Sequence, residues 1–112
     1  MYMRVPQELS RLKYVVDECV SIHWPNEYSS SNFIKSIDVV GCGATDDKVL
    51  SLVGRLKRGL VTADRKFAMR AVWNNKAVIY HRTNGVRTYI KTTKKKLRSI
   101  PDPGYLLTCY LM

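Results

Sequence analysis

At 112 residues the chain has room for one hydrophobic core and too little for two, and 46% hydrophobic with 25% charged residues excludes an intrinsically disordered class. Its bias is one of sign: 19 Lys and Arg against nine Asp and Glu give a net charge of +10, which directs it toward polyanions, nucleic acid ahead of an acidic membrane surface. Cys19, Cys42 and Cys109 lack any CxxC spacing, which argues against zinc, and Cys19 and Cys42 lie in apolar runs that suit buried, reduced thiols.

Met1 to Leu12 reads as a lead-in without the apolar run of a secretory signal. Tyr14-Val15-Val16, weakly continued by Cys19-Val20, is the first predicted strand. Ile22 to Ser31 is irregular, with a helical turn expected around Asn32 to Ser36, and Ile37-Asp38-Val39-Val40 reads as a second strand stopped by Gly41-Cys42-Gly43. Thr45 then supplies a helix cap with Asp46 and Asp47 in the first turn. Val49, Leu50, Leu52, Val53 and Leu56 recur at helical spacing, with Gly59 as terminator. Leu60-Val61-Thr62 is the third strand, and Asp64 caps a helix from Arg65 to about Trp73. Ala77 to Tyr80 is the fourth, and Thr83-Asn84-Gly85-Val86 signals a hairpin joining Val78–Arg82 to Val86–Ile90. Lys94, Lys95 and Lys96 form a basic patch ahead of an apolar end, Tyr105 to Met112, too short to span a membrane but able to cover a sheet edge or form a homodimer.

Strands alternating with helices imply an α/β protein with a mainly parallel sheet and a C-terminal hairpin: one domain over 1–112, core about 13–92, extension 93–112. The expected setting is cytoplasmic, with no membrane association.

The acids are few, and five of them, Asp17, Glu18, Asp46, Asp47 and Asp64, fall at or just after predicted strand ends. In open parallel sheets those ends line one edge, where ligand crevices form. Carboxylates gathered there raise one another's pKa unless a cation neutralises them. Mg²⁺ or Mn²⁺ suits oxygen donors and supports phosphodiester hydrolysis. Nearby Lys and Arg would hold the flanking phosphates. The same Thr45, Asp46, Asp47 and Asp64 are also good helix-start chemistry with no function at all. Asp17 is different, because it interrupts strand formers where a carboxylate has no structural task.

Gly43-Ala44-Thr45-Asp46-Asp47-Lys48-Val49-Leu50, followed by Gly59-Leu60-Val61-Thr62-Ala63-Asp64-Arg65-Lys66-Phe67, resembles the compact PIN-like proteins, and Val15-Val16-Asp17-Glu18 is similar to that family's first strand. The similarity runs from about Lys13 to Arg82. It implies a PIN-like three-layer α/β sandwich and, by analogy with VapC-type toxins, Mg²⁺- or Mn²⁺-dependent RNA cleavage, with an acidic antitoxin-like partner for a toxin. Carried over by position, Asp17, Asp46 and Asp64 would be the catalytic, metal-binding acids, with Asp47 a less strictly used one. Thr62 is similar to the hydroxyl residue beside the family's metal site. Two departures stand out: Lys66 occupies an expected acidic position, and the segment after the first strand is short and Ser-rich. They favour the alternative of a catalytically degenerate module that binds nucleic acid or a protein without cleavage.

The expected RNA contacts, which DNA could share, are Arg65, Lys66, Arg82, Arg87 and Lys94 to Lys96. Tyr80 and Tyr89 beside Arg82, Arg87 and Lys91 mix aromatic and basic side chains, a pattern that suits base stacking or simply one packed and one solvated face.

Overall fold

The computed structural model describes residues 13–21, 31–82 and 87–91. Nine elements follow in chain order: β1 (Tyr14–Val16), α1 (Glu18–Ser21), β2 (Phe33–Lys35), α2 (Ser36–Val40), α3 (Asp46–Arg55), β3 (Gly59–Thr62), α4 (Arg65–Trp73), β4 (Val78–His81) and β5 (Arg87–Ile90). They form an α/β structure around a five-stranded sheet ordered β2-β1-β3-β4-β5. The first four strands are parallel, and β5 runs antiparallel to β4 with His81 opposite Arg87 and Val78 opposite Ile90. The Asn84-Gly85 turn, Lys94 to Lys96, Cys109 and both chain ends lie outside the described residues.

Side chains alternate across each strand, so a strand buried on both sides must be apolar throughout. Tyr14, Val16, Val61 and Ile79 pack on one face with Val20 of α1. Val15, Leu60, Val78, Tyr80 and Ile90 pack on the other against Val49, Leu52 and Val53 of α3 and Phe67, Ala68 and Val72 of α4. The strand order explains this division. The chain winds from β1 to β2, then returns across β1 to β3 and β4. Right-handed crossovers therefore put the first connection on one face and the later ones on the other.

The predicted second strand, Ile37–Val40, is instead helix α2, and the sheet position belongs to Phe33–Lys35, expected as a helical turn. Packing decides this, because Phe33 stacks on Tyr14 with ring centroids 5.6 Å apart, whereas Val39 stays exposed. β-branched composition alone is a weak guide when another segment offers a better sheet partner. Cys19-Val20 does not continue β1; the chain turns into α1 at Asp17, whose carbonyl accepts from Val20 N. Gly59 does not end a helix but opens β3, where a Cβ would meet the Tyr14 ring at 2.5 Å and the Ala77 carbonyl at 2.8 Å. Tyr80 is buried in the core and not presented for stacking.

Candidate functional site

Where the winding direction of a parallel sheet reverses, the two neighbouring carboxyl ends diverge and leave a crevice. Here that point lies between β1 and β3. Asp17 follows β1 directly, its N–H donating to the Val61 carbonyl at 2.8 Å. Thr62 ends β3 and Asp64 follows two residues later.

Thr62 is fully buried and binds both acids into one network. Its Oγ1 donates to Asp17 Oδ2 at 2.9 Å and accepts from Asp64 N at 3.1 Å. Asp17 Oδ1 accepts from Glu18 N at 2.9 Å, and Oδ2 also takes the Cys19 thiol at 3.3 Å. Asp64 Oδ1 accepts from Phe67 N at 3.1 Å, the helix cap expected from sequence, while Oδ2 has no hydrogen bond among the described residues.

Asp46 arrives by a different route. The sequence placed it just beyond a strand, but it lies beyond α2 and a loop with positive φ at Gly41 and Gly43. Glu18 ties that loop to β1, accepting from Cys42 Sγ at 3.1 Å and Gly43 N at 3.0 Å. These bonds hold the Glu18 carboxyl below its ordinary pKa and push the Cys42 thiol up. Thr45 caps α3 by accepting from Lys48 N at 3.3 Å, which leaves Asp46 at the helix start. The Asp46 carboxyl is raised above its ordinary range by burial first, then by the negative charges of Asp64 and Asp17, against the opposing pull of Arg70. The charges of Asp64 and Asp17 therefore reach Asp46.

Other expected residues fall around this rim. Asp47 is exposed and paired with Arg70 of α4. Arg65 and Lys66 are exposed in the first turn of α4, beside Asp64, and Arg82 and Arg87 lie at the same end of the sheet because β5 is antiparallel. Neither Cys19 nor Cys42 is buried as expected; both are free and exposed. The Cys19 sulfur itself points inward, accepting from Ala63 N at 3.4 Å, and its partial burial raises the thiol pKa.

Glu18, Arg70 and Cys19 emerge as members of the site that sequence reasoning left without these roles. Only Glu18 carried a signal, as the acid following Asp17.

The donor set is hard oxygen, suited to Mg²⁺ or Mn²⁺. Among the described residues, no three His, Cys, Asp or Glu side chains are grouped so as to close on one ion. Asp46 is exposed and makes no hydrogen bond among those residues. No described helix is long and apolar enough to cross a membrane. Comparison with protein-family models, with curated proteins and with solved structures finds no match to this chain.

Proposed function

We propose that this chain is a PIN-like, divalent-metal-dependent ribonuclease in which Asp17, Asp46 and Asp64 hold a Mg²⁺ or Mn²⁺ ion. The observation that carries the reading is the joining of Asp17 and Asp64 through Thr62 at the carboxyl edge beside the winding reversal, with the Asp46 carboxyl raised by burial first and then by the charges of those two acids. Negative charge brought to one edge in this way is relieved by a cation. When bound, the ion supplies stabilisation of charge on the phosphate and an activated water.

The chain's own residues do the rest. Thr62 orients Asp17 through its hydroxyl and fixes the start of the Asp64 turn through the same oxygen. Glu18 positions the loop that delivers Asp46. Arg65, Lys66, Arg82 and Arg87 hold the RNA backbone on either side of the scissile phosphate, and Lys94 to Lys96 extend that grip in the same proposal. An acidic antitoxin-like protein would compete for the same cations.

The second reading is a PIN-like module that binds nucleic acid or a protein partner without cutting. Lys66 at an expected acidic position favours it, as does the separation of the acids into fewer than three on any one point. Incubation of the full chain with labelled RNA and Mn²⁺ separates the two. Asp64→Asn keeps an oxygen to cap Phe67 N, so loss of cleavage in that variant and in EDTA supports the enzyme rather than reporting unfolding. RNA binding with no metal-dependent cleavage establishes the module.

A further inference from the structure

The opposite end of the sheet has a chemistry of its own. The residues just before β1, β3 and β4 and just after the antiparallel β5 must meet at the amino edge, whatever their separation in sequence. Here those residues are basic. Lys13, Lys57, Arg58, Lys76 and Lys91 line one cleft of about 270 Å³, and no acid is among its lining residues that the structure describes.

The backbone fixes this arrangement. Gly59 N donates to the Lys13 carbonyl at 2.8 Å and Leu60 N to the Ala77 carbonyl at 2.9 Å, lacing three of the contributing segments together. Arg58 is held by its own side chain, which donates to the Asn32 carbonyl at 3.1 Å. Lys57 sits at φ 53 and Asn75 at φ 61, so the turns that present the cations adopt left-handed backbone conformations. Non-glycine residues adopt that region at some cost, and it persists only where the surroundings enforce it.

Among the described residues Lys13, Lys57, Lys76 and Lys91 make no ion pair. Cations gathered in one concavity without counter-charge repel one another and draw in an anion. Lysine ammoniums around a fixed guanidinium offer several donors to the oxygens of a tetrahedral phosphate.

We propose that the amino-edge cleft is a phosphate-binding site, distinct from the carboxyl-edge acids and independent of whether those acids hold a metal. Its ligand is a phosphate of a nucleic-acid backbone or of a free oligophosphate, two sources of one chemistry.

The test uses the full chain in EDTA, so that no metal bridges a phosphate to the acids. Tripolyphosphate is titrated calorimetrically into the wild type, into Lys13→Gln/Lys76→Gln, and into Lys48→Gln/Arg55→Gln, which removes equal charge from the exposed side of α3. The cleft variant is expected to bind about tenfold or more weakly, as loss of charge-assisted contacts implies. The α3 variant is expected to stay within about twofold, the share of a general charge effect. Lys57→Gln/Lys91→Gln repeats the measurement should the first pair fail to fold. In either case, single-stranded RNA that displaces tripolyphosphate identifies the backbone as the source, and RNA that does not identifies a free oligophosphate. Equal weakening in the cleft and α3 variants, or none in either, overturns the site.

Discussion

The two ends of one sheet differ more than the two faces do. At the carboxyl end lie Asp17, Glu18, Asp46, Asp47 and Asp64, five of the nine acids in a chain of net charge +10. At the amino end lie Lys13, Lys57, Arg58, Lys76 and Lys91, with no acid lining the cleft among the described residues. Both groups are assembled by strand order and not by sequence proximity. The difference lies in how their charges are satisfied. The acids are partly neutralised by hydrogen bonds from Thr62, Cys19 and backbone N–H groups, whereas the amino-edge lysines make no ion pair among the described residues. An acidic edge organised by hydrogen bonds suits a cation, and an open basic cleft suits an anion.

Substitutions at the two ends should therefore separate cleanly. Asp17→Asn is expected to have the largest effect: RNA cleavage should fall by more than about a hundredfold, exceeding the usual cost of losing an outer partner. The check is single-turnover cleavage at saturating Mn²⁺, and full activity in this variant would remove Asp17 from the machinery. Gly59→Ala acts at the other end and is read through stability. Its Cβ would collide with the Tyr14 ring and the Ala77 carbonyl, so a loss of about 1–3 kcal/mol is expected in urea unfolding. An unchanged midpoint would mean that the close approach of β1, β3 and β4 is looser than described.

Thr62→Val tests the network between the acids. It keeps the buried shape and removes the hydroxyl that joins Asp17 to Asp64 N, so Mn²⁺ affinity should weaken by about 10–100-fold with the fold retained. The conservative Thr62→Ser should restore most of it, which a purely packing role for Thr62 would not allow.

The smallest effect concerns Asp46 without metal. Its carboxyl pKa is raised on folding, so the folded state binds the proton more tightly than the unfolded one. Stability from this group is therefore lowest above the raised value and recovers as pH falls through it toward the ordinary carboxylate range. Asp46→Asn should raise metal-free stability at neutral pH, by less than about 1 kcal/mol because the side chain is exposed and screened. A lower melting temperature for the variant in EDTA would contradict a carboxylate disfavoured by burial and by the charges of Asp64 and Asp17.

Much of this was legible in the sequence, and what was not has a common cause. Helices α3 and α4 announced themselves through Thr45 and Asp64 ahead of apolar residues at helical spacing, and both caps form as those residues require. Strands β1, β3 and β4 are short apolar runs that only a sheet covered on both faces can bury. Ile37–Val40 misled because its β-branched composition is local, whereas the stacking of Phe33 on Tyr14 is not. The same limit applies to the site. Asp17, Asp46 and Asp64 could be picked out because acids are scarce and fall at element boundaries. The Thr62 bridge, the Glu18 tie to Gly43 and the pairing of Arg70 with Asp47 each join residues 23 to 45 positions apart. The amino-edge cations are equally dispersed, and no contiguous run marks them as Lys94-Lys95-Lys96 marks its own patch.

Manganese titration of the full chain, followed by electron paramagnetic resonance, bears most directly on the acidic crevice. One ion per chain is expected, with affinity lost in each of Asp17→Asn, Asp46→Asn and Asp64→Asn and retained in Asp38→Asn. An affinity indifferent to any one of those three aspartates would contradict a shared ion at the carboxyl edge.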